Sequence, residues 1–147
     1  MFKHLLVPTD GSTLSEATVN RAISFAGEAG AKITFFYAQP DFPMPIYGEG
    51  ALIDPTTPEQ FAQSAAQEAQ RILDNARSKA EAAGVACDTD TTVNEIPYEA
   101  IIDAAERKGC DLIFMASHGR RGLASLLLGS ETQKVLTHTR IPVLVFR

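Results

Sequence analysis

The chain has 147 residues, enough for one domain that buries about two-thirds of its unfolded surface and too few for two such cores. Hydrophobic residues make up 45% and charged residues 21%, which excludes an intrinsically disordered chain. Lys and Arg number 13 against 18 Asp and Glu, a net charge of −5, so neither nucleic acid nor an anionic membrane surface is an expected partner.

Residues 3–7 form a short Leu/Val-rich run stopped by Pro8, the pattern of a strand buried on both faces. That run is too short for a signal-peptide core of about 7 to 15 residues. No other stretch approaches the roughly 18 apolar residues of a membrane span, so a cytoplasmic protein is expected. Thr9-Asp10-Gly11-Ser12 is turn chemistry, and Thr13-Leu14-Ser15-Glu16 reads as a capping box that opens a helix. Ala22, Phe25, Ala26 and Ala29 mark its buried face up to a stop at Gly30. Residues 32–38, with Ile33, Phe35, Phe36 and Tyr37, read as a second buried strand ended by Pro40. Residues 39–56 carry Pro40, Pro43, Pro45, Gly48, Gly50 and Pro55 without a period, a loop long enough to suggest a lid or a partner contact.

Thr57, Pro58 and Gln60 spell a capped helix start. Phe61, Ala65, Ala69, Ile72, Leu73, Ala76, Ala80 and Ala83 give that helix one apolar face down to Gly84. Residues 85–93 alternate apolar or Thr with Asp, as an edge strand does. Pro97 opens a third helix with a stripe of Tyr98, Ile101, Ile102 and Ala105, closed by Gly109. Residues 111–116 form a further buried strand. Ser130-Glu131-Thr132-Gln133 reads as a fourth helix start with a capping box, and 142–146 as a last apolar strand. Cys87 and Cys110 are too few and too far apart for a zinc site or a redox pair and read as structural thiols.

Strict β-α alternation predicts a single-domain, doubly wound, Rossmann-like α/β fold. Its five parallel strands join by right-handed crossovers, with helices on both faces of the sheet. Ligands of such sheets bind beyond the carboxyl ends of the strands where the winding reverses. In the order 3-2-1-4-5 that point lies between the first and fourth strands, so the two loops concerned are 8–12 and 117–130. In the second loop, Gly119, Gly122 and Gly129 admit close backbone approach, Arg120 and Arg121 add charge, and Ser130 opens a helix whose N-terminus attracts anions. Phosphate fits that chemistry best, although neither a P-loop nor a dinucleotide fingerprint occurs.

Several separated motifs resemble the universal stress protein family. They are Leu-Val-Pro-Thr-Asp-Gly-Ser from Leu6 to Ser12, Ser-His-Gly-Arg from Ser117 to Arg120, and the ending Ile-Pro-Val-Leu-Val from Ile141 to Val145. The ATP-binding members carry Gly-x-x-Gly, nine residues, then Gly-Ser/Thr. Gly119, residues 120–128 and Gly129-Ser130 match, whereas the first glycine is Ala116 here. A left-handed backbone at Ala116 would cost about 1 to 2 kcal/mol. An ordinary strand end would merely crowd the ribose, and this milder case is the expected one.

The resemblance implies an adenine-nucleotide site for ATP or AMP. Pro8, Thr9, Asp10 and Ala38 would border the adenosine, and Ala116, Ser117, His118, Gly119, Arg120, Arg121 and Gly122 would wrap ribose and phosphates. Gly129, Ser130, Glu131 and Thr132 would hold the terminal phosphates. Mg²⁺ could bridge phosphate oxygens beside Asp10. It also implies a homodimer paired through residues 141–147, a bare apolar edge. Blander roles stand beside these: Asp10 as a turn residue, Ser130 as a helix cap, His118 as a loop hydrogen-bonder with no triad around it. No catalytic set stands out, so slow ATP hydrolysis is the most that is expected. The alternative is a dimeric scaffold that binds no nucleotide. A true hydrolase would need a positioned base and the 39–56 loop as a lid.

Overall fold

The computed structural model describes residues 1–42, 57–118 and 128–147. Elements follow in the order β1 (His4–Pro8), α1 (Thr13–Ala29), β2 (Lys32–Gln39), α2 (Pro58–Ala82), β3 (Cys87–Val93), α3 (Pro97–Arg107), β4 (Leu112–Ala116), α4 (Ser130–His138) and β5 (Val143–Phe146). The strands form one sheet in the order β3-β2-β1-β4-β5, and every pairing is parallel. The predicted 3-2-1-4-5 winding is therefore the observed one.

The continuous apolar runs follow from burial on both faces, because successive strand residues point to opposite sides. Leu5, Val7, Ile33, Phe35, Leu112 and Phe114 face one cluster with Val19, Ala22, Ile23 and Ala26 of α1 and Leu73, Ala76 and Ala80 of α2. Leu6, Phe36, Ile113 and Met115 face the other, with Ala100, Ile101, Ala104 and Ala105 of α3 and Val135 of α4. Each fully buried Leu, Ile, Val or Phe contributes roughly 1.5 to 3 kcal/mol by leaving water, so the middle of the sheet carries the fold. On α1 the buried stripe is Val19, Ala22, Ile23 and Ala26, while Ala29 is exposed. Phe25, half-buried, packs its ring against Phe114 at 5.7 Å.

Edge strand β3 is kept from further pairing by charge. Its Asp90 binds Arg107 at 3.0 Å and its Asp88 meets Lys108 at 3.6 Å. At the other edge, all four residues of β5 are half-buried. Among the described residues no helix is long and apolar enough to cross a membrane.

Two helix starts differ from expectation. The cap of α1 is Ser12, whose hydroxyl accepts from the Ser15 amide at 3.2 Å, and Thr13 is already helical. Gly11, at φ 77°, turns the chain one residue earlier than the capping-box reading requires. Glu16, freed from that box, accepts from Asn75 of α2 at 3.1 Å. For α4 the cap is Gly129, with no side-chain cap bond, and Ser130 is the first helical residue. Gln133 reaches the Leu128 carbonyl at 3.0 Å instead of closing a box on Ser130. The box predicted at Thr57 and Gln60 is present in both directions, each bond 3.1 Å.

Candidate functional site

Because β1, β2 and β4 are parallel neighbours, the loops after β1 and β4 and the last residues of β2 lie at one end of the sheet. The predicted site residues within the described chain lie at that end. Pro8 ends β1 opposite Phe36, and the ladder continues one step as the Thr9 amide donates to the Phe36 carbonyl at 2.9 Å. Ala38 lies near the end of β2. On the other side of the reversal stand Ala116, Ser117 and His118, followed in space by Leu128 to Thr132. Gly119, Arg120, Arg121 and Gly122 lie outside the described residues, as does the expected lid from residue 43 to 56.

Side chains of α1 fix the β1–α1 loop. Ser15 is 3% exposed; its hydroxyl bonds the Thr9 hydroxyl at 2.7 Å and accepts from the Asp10 amide at 3.0 Å. Asp10 accepts from the Ser12 amide at 2.9 Å through Oδ1, the turn role weighed for it from sequence. Ser15 escaped the sequence reading, although a hydroxyl on the apolar side of a helix, one turn in, was the available signal.

The β4–α4 side is held by backbone. Ala116 ends β4 opposite Phe146, and no described residue other than glycine has positive φ, so its alanine carries no left-handed strain. The Ser117 amide donates to the Phe146 carbonyl at 2.8 Å, and the Ser117 carbonyl accepts from the Gly129 amide at 2.6 Å. A methyl group on Gly129 would lie 2.9 Å from the His118 Cα, so only glycine allows this approach. Thr132 Oγ1 donates to the Ala116 carbonyl at 2.9 Å. The His118 ring pairs with the Ser117 hydroxyl at 3.2 Å, the loop hydrogen bond anticipated for it.

Together these bonds set the first turn of α4, with no side-chain cap, beside the Ser117–His118 backbone. A helix end of that kind presents amide donors and positive potential to an anion. The Glu131 carboxylate is engaged by α3: its Oε2 accepts from the Tyr98 amide at 2.9 Å. Ser130 is exposed. Among the described residues no group of three or more His, Cys, Asp or Glu could hold a metal ion. The two thiols are remote from this chemistry: burial pushes Cys110 up to about 11 and raises Cys87 as well.

Comparison with known proteins places this geometry in a family. Universal stress protein MJ0531 of Methanocaldococcus jannaschii is 32% identical over all of this chain and 83% of its own length. The solved structure of MJ0577, from the same organism, superposes with a TM-score of 0.81 at 28% identity, covering 99% of this chain and 95% of that one. A universal stress protein crystallised in complex with cAMP superposes with a TM-score of 0.71 at 26% identity, over 99% and 97% of the two chains. The model of the universal stress protein family matches residues 1–147, and with its sheet order and motifs in register the chain belongs to that family.

Proposed function

We propose that this chain is a regulatory protein that binds an adenine nucleotide, ATP or AMP, in the crevice between the β1–α1 and β4–α4 loops. The observation that carries this reading is the seat of Gly129 against Ser117 and His118. That contact holds the first turn of α4, without a side-chain cap, at the reversal point of the sheet. The related protein crystallised with cAMP supports the choice of an adenine nucleotide. In this reading Pro8, Asp10 and Ala38 border the adenosine, and the α4 amides with Gly129, Ser130 and Thr132 receive the phosphates. Since the described residues offer no metal cluster of their own, an accompanying Mg²⁺ would be held chiefly by phosphate oxygens, with Asp10 as the adjoining carboxylate. In this reading turnover is slow at most. The proposal extends to a cytoplasmic homodimer paired through residues 141–147, supported by the half-buried apolar β5 at the sheet edge. A scaffold that binds no nucleotide drew its support from Ala116; the backbone there carries no left-handed strain, which favours the binding reading.

Mass spectrometry of the denatured, freshly purified protein and calorimetry with ATP, AMP and cAMP test this reading. Ser130→Glu locates the site. An acidic residue in the first turn suits the helix dipole, so folding is retained, while its charge opposes a phosphate at the same amides. ATP affinity is expected to fall at least about tenfold, or roughly 1.4 kcal/mol, with the melting temperature held. A wild-type protein that takes up no adenylate in either measurement sinks the proposal. Unchanged ATP affinity in Ser130→Glu would move the phosphates elsewhere.

A further inference from the structure

We infer that Glu131 is a positioning residue, clamping the first turn of α4 to the N-terminus of α3 so that nucleotide binding and the order of α3 are coupled. The inference rests on the nucleotide-binding reading above, but its geometry is independent of it. Helix α3 begins with Ile96 at the cap position, which has no side-chain oxygen to offer, and Pro97 as the first helical residue. The leading amide donor, Tyr98 N, is therefore left without a local partner. Glu131, 33 residues away in sequence, supplies it at 2.9 Å.

Glu131 itself lies in the first turn of α4, so one carboxylate sits at the positive ends of two helices. Lys134 approaches its other oxygen at 3.4 Å and lies 5.7 Å from the Tyr98 ring centroid. His138, one turn on, stacks against Tyr98 at 4.9 Å. The same turn of α4 is tied to the site by Gly129 on Ser117 and Thr132 on Ala116. Two adjacent residues thus point one helical turn in two directions, Thr132 to the crevice and Glu131 to α3. Anything that fixes the turn from one side fixes it for the other, and such coupling is reciprocal.

The experiment measures hydrogen exchange of the Tyr98 amide and ATP affinity in the full-length wild type, Glu131→Ala and Glu131→Gln. Glu131→Ala is expected to speed Tyr98 exchange and to weaken ATP binding about fivefold, at the low end of ordinary coupling. Glu131→Gln keeps an acceptor oxygen and is expected to recover most of both losses. In the wild type, saturating ATP should slow Tyr98 exchange. If the carboxylate acted on nucleotide only by charge repulsion, both variants would bind ATP more tightly, which overturns the inference. Wild-type ATP affinity in Glu131→Ala despite faster Tyr98 exchange also overturns it, leaving a cap for α3 alone. A wild-type protein that binds no nucleotide sinks the functional reading and the coupling with it, while the exchange data still report whether the clamp exists.

Discussion

The backbone angles of Gly129, φ −68° and ψ 157°, suit any amino acid, so its glycine answers to space and not to conformation. A methyl there would stand 2.9 Å from His118 Cα, 3.0 Å from His118 Cβ and 3.2 Å from the Ser117 oxygen. Two of those neighbours belong to backbone, which has little freedom to yield. Gly129→Ala is therefore expected to destabilise the fold by about 1 to 3 kcal/mol, as overpacking does, measured by urea unfolding. Wild-type stability would mean that the start of α4 can recede from Ser117, and the close seat of the crevice wall would then have no energetic weight. The same crowding makes a bulkier acidic residue at 129 a poor probe of phosphate, since it would disturb the wall before it met a ligand. Ser130, one residue on and exposed, separates charge from packing. Ala116 illustrates the opposite case: a residue departing from the family's glycine pattern costs nothing in the backbone, because its position closes a strand.

At the level of elements, two positions at the start of α1 invite comparison. Ser12→Ala removes the hydroxyl that accepts from the Ser15 amide and is expected to cost about 1 kcal/mol. Thr13→Ala, at an exposed helical position, should change stability by a few tenths at most. Chemical denaturation of the two variants decides the matter, and a larger loss from Thr13→Ala would return the cap to that residue. The choice was hidden in the sequence because Ser12, Thr13 and Ser15 all offer hydroxyls within one turn. Only the left-handed Gly11 and the Asp10 turn before it settle which one is used. The strands were readable for a different reason. Runs such as residues 112–115 can be wholly apolar only where both faces are covered, and that requirement also fixes the parallel winding. At the candidate site, Asp10, Ser117, Gly129 and Thr132 were nominated by loop composition and family motifs, and the parallel winding puts them at one end of the sheet. The bond from Tyr98 to Glu131 joins residues 33 apart, and no local pattern announces it. Alanine explains the smaller misses: Ala29 and Ala83 continue their helical stripes in sequence but are exposed, since a side chain so small is at home on either side of a helix.

Across the whole molecule, the two ends of the sheet differ, with the candidate site at the carboxyl ends and a polar knot at the amino ends. There Asp111 accepts from the Lys3 amide at 2.9 Å and the His4 amide at 3.0 Å, binding the start of β1 to the start of β4. Burial alone would raise the Asp111 carboxyl, but the amides of His4 and Lys3 outweigh it and hold it below its ordinary value. His4 is buried on the same knot, its Nε2 paired with the Thr34 hydroxyl at 2.8 Å. Burial, and then Lys32 on β2, lower its pKa, against the opposing pull of Asp111 and Asp88 and a hydrogen bond with the Lys108 backbone. Both groups therefore bind protons less readily when folded than when unfolded, and both favour the folded state at high pH. The His4 contribution is fully present above its unfolded value of 6.5 and is lost as pH falls through the lower folded value. The Asp111 contribution follows the same sign further down, below 3.8. Wild-type urea midpoints are thus expected to drop between pH 7.5 and pH 5.5, and His4→Gln, which has no proton to gain in that window, should flatten the drop. Equal falls in the two proteins would shift the acid sensitivity to groups outside this knot.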